Sequence, residues 1–126
     1  MSNTYFFDTY ALIEIIRGNS NYNQYTNSKI ITTIFNLAEL NYILKKEMSK
    51  EKADNYTKDY FFFEAKVTIK DLISAMDLKT KHRNLSIPDA IGYTVAKRYN
   101  VQFLTGDEDF RSLDNVEFVK GDKEAV

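Results

Sequence analysis

The stretch Thr4-Tyr5-Phe6-Phe7-Asp8, followed by Thr9-Tyr10-Ala11-Leu12-Ile13-Glu14-Ile15-Ile16-Arg17-Gly18, decides the fold. Four residues of β-forming character end at an acid, and an apolar segment then closes at Arg-Gly in the manner of a helix with its carboxyl cap. Thr4 to Phe7 therefore reads as a short buried strand and Asp8 as the start of a helix. The same grammar recurs outward along the chain. Lys29 to Thr33 is rich in β-branched residues and reads as a second strand. A helix from about Ile34 to Met48 follows, with Leu37, Leu40 and Leu44 at helical spacing for burial. Between the first helix and second strand, Asn19 to Ser28 is polar and reads as loop or short helix.

Ser49 resembles a helix start, and that helix is expected to run to about Phe63, with Tyr60-Phe61-Phe62-Phe63 ambiguous between helix end and strand. Ala65 to Val67 is expected as a short third strand. Thr68 then caps a helix with Ile69, Leu72, Ile73 and Met76 on one side. Ser86-Ile87-Pro88-Asp89 opens another helix to about Tyr99, Val101 to Leu104 is a strand, and Val116 to Val119 is an edge strand. Strands alternating with helices imply a single domain over residues 1–126, an α/β fold built as a three-layer α/β/α sandwich on a mostly parallel sheet.

Bulk properties narrow the class. A chain of 126 residues with 44% hydrophobic and 14% aromatic residues supplies one core and is too short for two domains. With no Cys there is neither a disulfide framework nor a thiolate metal site, so a bound metal must use oxygen or the one imidazole, His82. The amino terminus lacks the basic lead and apolar run of a signal peptide, and no segment is long enough to span a bilayer, so the expectation is a soluble, cytoplasmic protein. A net charge of −1 neither demands nor forbids nucleic acid. Its distribution is more telling: Lys79, Lys81, His82 and Arg83 precede the Asp89 segment and form a candidate phosphate-facing patch, or equally a solvated helix end.

Acids stand where apolar runs end: Asp8, Glu39 in Asn36-Leu37-Ala38-Glu39, Asp89, and Asp107 with Asp109 in Thr105-Gly106-Asp107-Glu108-Asp109-Phe110. Each has an ordinary structural role open to it. Asp8 alone reads as a helix cap. Glu39 lies between Phe35 and Ile43 on its helix, and Thr32, Asn36 and Tyr42 are near enough in the pattern to satisfy it without a metal. Asp89 stands three residues after Ser86 at capping-box spacing, with Pro88 suited to a first turn. Gly92, Tyr93 and Ala96 on that face are expected to leave room beside the carboxylate. Asp107 and Asp109 fit an acidic turn, Glu108 points elsewhere, and Glu14 and Asp114 are structural or surface acids. Jointly, however, all four groups fall at strand carboxyl ends or helix faces adjoining them. In an open parallel sheet these positions converge on one crevice. Acids gathered there repel one another unless a cation joins them, and hard divalent ions suit an all-oxygen site.

These segments, Tyr5-Phe6-Phe7-Asp8-Thr9, Asn36-Leu37-Ala38-Glu39-Leu40, Leu85-Ser86-Ile87-Pro88-Asp89-Ala90 and Leu104-Thr105-Gly106-Asp107-Glu108-Asp109-Phe110, resemble the PIN domain, and within it the VapC-like toxin ribonucleases of toxin-antitoxin modules. The resemblance covers nearly the whole chain. It implies a five-stranded parallel sheet in the order 3-2-1-4-5. It also implies an acidic quartet of Asp8, Glu39, Asp89 and Asp107 holding one or two Mg²⁺ or Mn²⁺ ions, with Asp109 auxiliary. Asp8 and Asp107 are the most direct ligands in that scheme, and Thr9, Asn36, Ser86 and Thr105 are supporting polar positions. The implied activity is endoribonuclease cleavage leaving a 5′-phosphate and a 3′-hydroxyl, with tRNA among the candidate substrates, arresting translation. A small antitoxin and a second copy of the chain are the implied partners. The aromatic density of Tyr56, Tyr60, Phe61, Phe62 and Phe63 departs from the family pattern and bears on the partner surface.

Two other hydrolase or signalling readings fail on single residues. A haloacid-dehalogenase phosphatase needs an acid two residues after Asp8, where Tyr10 stands; a receiver domain needs paired acids after the first strand. The surviving alternatives are a catalytically inactive PIN-like docking protein whose acidic crevice takes a basic partner, and a structure-specific DNA nuclease.

Overall fold

The computed structural model describes residues 3–121. Strand β1 (Thr4–Phe7) leads into α1 (Thr9–Arg17), which stops at Gly18, whose φ of 74° is the left-handed conformation that suits glycine. A 3-10 turn over Ser20–Tyr25 brings the chain to β2 (Lys29–Ile31) and α2 (Ile34–Glu47). Then come α3 (Lys50–Tyr60), α4 (Ile69–Lys81) and α5 (Ile87–Arg98), with β3 (Gln102–Thr105) and β4 (Val116–Phe118) last. The strands form one wholly parallel sheet in the order β2-β1-β3-β4.

Adjacent phenylalanines of β1 divide the interior, because successive strand residues point to opposite faces. Phe6, stacked on Phe103 with ring centroids 5.4 Å apart, joins Ala75 of α4 and Ala90, Ile91, Val95 and Ala96 of α5. Phe7 and Leu104 face the other way, onto Ala11 and Leu12 of α1 and Leu37, Leu40 and Leu44 of α2. The sheet is thus the middle of three layers, as the alternation of elements predicts. Each of these side chains is almost wholly buried.

Two expectations need correction. The sheet has four strands among the described residues, not five. The expected strand at Ala65–Val67 is reduced to a single parallel bridge between Thr32 and Glu64, with Thr32 N–H bonded to the Phe63 carbonyl and Ala65 N–H to the Thr32 carbonyl. It lies beside β2, where the third strand of the order 3-2-1-4-5 belongs. It stays short because Thr33 already leaves the sheet to cap α2, its hydroxyl accepting from Asn36 N–H, so β2 offers nothing past Thr32 to pair with. On α4, Leu72 and Met76 of the expected apolar side pack against the core, but Ile69 and Ile73 are 69% and 60% exposed, and the most buried positions are Asp71 and Ala75. Asp71 can be buried because an ion pair crosses the helices: Arg98 of α5 donates to both of its carboxylate oxygens at 2.9 Å. Burial would raise the Asp71 carboxyl, but this guanidinium and the Thr68 cap hold it below the usual range.

β1 and β3 are neighbours, yet the chain leaves β1 towards β2 on one side and β3 towards β4 on the other. Such a reversal opens a crevice outside the carboxyl ends of the two central strands. Asp8 and the Thr105–Asp107 turn are what the sequence puts there.

Candidate functional site

Asp8 occupies the amino-terminal cap position of α1 but makes no side-chain cap hydrogen bond. Its carboxylate is turned instead into the crevice and is only 2% exposed. Thr105 Oγ1 donates to Oδ2 at 2.7 Å, and Asn36 Nδ2 lies 3.5 Å from Oδ1. Capping therefore does not account for Asp8. Thr105 also ties in the next acid, because its hydroxyl accepts from the Asp107 backbone N–H at 3.0 Å. One hydroxyl at the end of β3 thereby fixes Asp8 relative to Asp107.

Glu39 projects from α2 and accepts from Thr9 Oγ1 at 2.8 Å. The anticipated partners Thr32, Asn36 and Tyr42 are not its direct partners. Asn36 instead donates to Thr9 at 3.1 Å and accepts from Thr33 Oγ1 at 2.7 Å, while Tyr42 is 66% exposed. Asp89 does form the anticipated capping box: Ser86 Oγ accepts from its N–H, and its Oδ2 accepts from Ser86 N–H at 3.2 Å. Gly92 does not make space beside it. A Cβ there would stand 2.9 Å from Phe6 Cε1 and 3.3 Å from Asn36 Oδ1, so this glycine lets α5 approach β1. Asp107 caps the 3-10 turn Glu108–Phe110 by accepting from Asp109 N–H at 3.0 Å, and Glu108 turns away to pair with Arg111 and Lys120.

Asp8, Glu39, Asp89, Asp107 and Asp109 line one crevice of about 560 Å³ together with Thr9 and Ser86. They sense one another. Burial first, and then the charges of Asp89 and Glu39, hold the Asp8 carboxyl well above its ordinary value against the Thr105 bond. Burial, reinforced by Glu39 and Asp107, pushes Asp89 up to about 6 despite the Ser86 N–H. None of the five acids takes part in an ion pair among the described residues. No three acidic or histidine side chains there already stand in a metal-binding cluster. The donor set nevertheless fits a hard divalent cation: every atom these acids, Thr9 and Ser86 offer from their side chains is a carboxylate or hydroxyl oxygen.

Residues 5–116 match the PIN domain family. The chain belongs to the PIN domain family. Among solved structures this PIN domain is similar to a Mycobacterium tuberculosis VapC20 described as a sarcin-ricin loop cleaving toxin, with TM-score 0.75, 18% identity, and 91% of this chain and 98% of that one covered. A toxin-antitoxin complex from Klebsiella pneumoniae gives TM-score 0.72 at 18% identity, covering 90% and 95%. VapBC2 from Rickettsia felis, bound to a DNA fragment from its promoter, gives 0.70 at 19%, covering 94% and 99%. At these identities the likeness is one of fold. Among curated proteins none matches the chain. Family membership supports a hydrolase acting on nucleic acid.

The basic segment is divided by the PIN fold. Lys79 and Arg83 reach the crevice, whereas Lys81 and His82 are not part of its lining. The crevice also contains residues that sequence reasoning did not single out for the site: Tyr10, Ile13, Ile43, Asn84 and Leu85. Tyr10 and Ile13 were legible only as part of the apolar segment of α1. A signal for Tyr10 lay in its position two residues after Asp8, one turn short of Ile13 on the same helix. No described helix is long and apolar enough to cross a membrane.

Proposed function

We propose that the protein is a divalent-metal-dependent endoribonuclease and the toxin of a toxin-antitoxin pair. The observation that carries this reading is Asp8: a nearly inaccessible carboxylate at the cap position that caps nothing, held by Thr105 in a crevice with the other acids. A carboxylate buried beside other acids, with no cationic side chain bonded to it among the described residues, supports the reading of a cation site. Asp8 and Asp107 are proposed as the principal ligands, with Glu39, Asp89 and Asp109 completing the set. When bound, Mg²⁺ or Mn²⁺ supplies an activated water and offsets charge on the phosphate.

The chain's own contribution is positioning. Thr105 keeps Asp8 and Asp107 in fixed relation, Thr9 holds Glu39, and Ser86 holds Asp89. Because Thr9, Thr105 and Ser86 are neutral donors, they orient the acids without cancelling the charge that a cation and its water require. The structural neighbours, a sarcin-ricin loop cleaving toxin and two toxin-antitoxin assemblies, support RNA as substrate and a small antitoxin as partner; a homodimer is proposed on the family resemblance alone.

The test is cleavage of total tRNA and mixed RNA by the purified protein with Mg²⁺ or Mn²⁺, alongside EDTA and Asp8→Asn. Cleavage lost in both controls supports the reading. Equal cleavage by wild type and Asp8→Asn assigns the activity to a contaminant, and no cleavage with no metal binding by calorimetry favours a docking protein.

A further inference from the structure

The crevice has more in it than acids. Lys79 and Arg83 both line it, but their heads are differently placed. Lys79 Nζ donates to the Leu85 carbonyl at 2.6 Å and to the Arg83 carbonyl at 3.3 Å, so this ammonium holds the turn between α4 and α5. The protein has four arginines. Arg17 pairs with Glu14 and Glu47, Arg98 with Asp71, and Arg111 with Glu108. The Arg83 guanidinium alone makes no ion pair among the described residues, although its crevice holds five carboxylates. A planar cation left unmatched in such a place has a fork of donors suited to a phosphate.

A third kind of wall completes the cavity. Tyr10, Ile13 and Ile43 line it from α1 and α2. The Tyr10 ring is fixed: a Cβ on Gly106 would lie 2.3 Å from its Cε1, so the ring packs directly on that glycine, and its hydroxyl accepts from Gly121 N–H at 2.9 Å. A pre-set ring with aliphatic neighbours offers a face to a base, and a volume of about 560 Å³ is within the range of small-ligand sites.

We propose that Arg83, with its turn positioned by Lys79, binds a phosphate of the RNA flanking the scissile one, and that Tyr10, Ile13 and Ile43 take an unpaired base. This deepens, and rests on, the ribonuclease reading. A base stacked and paired in a duplex cannot present its face to that wall, so the crevice selects single-stranded or looped RNA.

The experiment is fluorescence anisotropy with a short labelled single-stranded RNA, and with the same RNA annealed to its complement, in Mg²⁺ and in an Asp107→Asn background to spare the probe. The salt dependence of binding is recorded for each added substitution. The single strand is expected to bind at least about tenfold more tightly than the duplex. Arg83→Ala is expected to reduce the slope of log K against log salt by about 0.7, the value of one single-strand phosphate contact, while Arg83→Lys largely restores it. Lys81→Ala, outside the crevice, is expected to leave the slope unchanged. Ile43→Ser is expected to weaken single-strand binding at constant slope, and Lys79→Ala to weaken it by loosening the turn, also at constant slope. An unchanged slope in Arg83→Ala, an equal loss in Lys81→Ala, or no preference for the single strand overturns the inference. If the wild type meanwhile cleaves RNA, the ribonuclease reading survives that failure; if it neither binds nor cleaves RNA, both fall.

Discussion

Replacing Asp89 by Asn removes a charge while keeping the helix cap, because an amide oxygen can still accept from Ser86 N–H and the Asp89 backbone N–H still reaches Ser86 Oγ. In the metal-free fold, burial and the charges of Glu39 and Asp107 carry the Asp89 carboxyl from 3.8 to about 6. Two units at about 1.4 kcal/mol each give ~3 kcal/mol as the destabilisation on ionising it in place. The sign follows from proton binding. Between about pH 4 and pH 6 the folded protein retains a proton that the unfolded chain has released, so stability is highest below the unfolded value and falls as pH rises through the folded one. Losing an acid from the first turn of α5 returns about 0.3–1 kcal/mol of helix-dipole stabilisation. Asp89→Asn is therefore expected to be more stable than wild type by about 2 kcal/mol near pH 8 and equal to it near pH 4. Urea unfolding in EDTA measures this directly, as an upward midpoint shift of about 1 M for a slope of about 2 kcal/mol/M. Added Mg²⁺ is expected to reverse the order, since an ion at a hundred times its dissociation constant stabilises the wild type by about 2.7 kcal/mol and the variant less. A variant less stable than wild type near pH 8 in EDTA, or a difference that does not change with pH, would refute the reasoning.

Thr105→Val removes the bond to Asp8 and the acceptor for Asp107 N–H together; it is expected to cost about 1–3 kcal/mol and to lower metal affinity about 10–100-fold by calorimetry, with the far-ultraviolet circular dichroism unchanged. Gly106→Ala places a Cβ 2.3 Å from Tyr10 Cε1 and 2.4 Å from the Val119 carbonyl, and since the latter is backbone it cannot swing aside. That variant is expected to lose about 3 kcal/mol or more, read as a fall in the denaturation midpoint, whereas Gly18→Ala meets no atom within 4 Å and suffers only from its φ of 74°. Arg98→Ala leaves the Asp71 carboxylate 4% exposed without its guanidinium; because Arg98 itself is 40% exposed, a loss of about 1–3 kcal/mol is expected, shrinking as pH falls far enough to protonate Asp71.

Much of this was legible in the sequence because strand, cap and helix each impose local requirements. The ends of β1 and β3, the Ser86–Asp89 box and the Gly18 stop all rest on residues within a few positions of one another. What was not legible depends on distant partners. Whether Asp8 caps or faces the crevice is undecidable locally, since both roles want the same residue in the same slot; it is decided by Thr105, 97 positions away. The third strand failed for a competing reason, as Thr33 has one backbone and α2 claims it. On α4, periodicity put Ile69, Leu72, Ile73 and Met76 on one side, of which Leu72 and Met76 pack on the core and Ile69 and Ile73 stay exposed. The burial of Asp71 had no local signal, since its partner Arg98 stands 27 residues further on.

The partner each acid receives also separates those that serve the fold from those proposed to serve chemistry. Buried Glu14 has Arg17 and Asn19, and buried Asp71 has Arg98. Exposed Glu108 has Arg111 and Lys120. Asp8, Glu39, Asp89 and Asp107, by contrast, receive hydroxyls, an amide and backbone N–H groups. Arginine neutralises as well as orients; a threonine hydroxyl only orients. A fold under selection for stability alone has no reason to deny cations to its most buried carboxylate while supplying them to Glu14 and Asp71, because mutual repulsion in the crevice lowers the stability of the metal-free protein. The cost is intelligible if a cation arrives from solution, and Arg83, the one arginine without a carboxylate partner among the described residues, lines the same crevice, as the proposed phosphate contact requires.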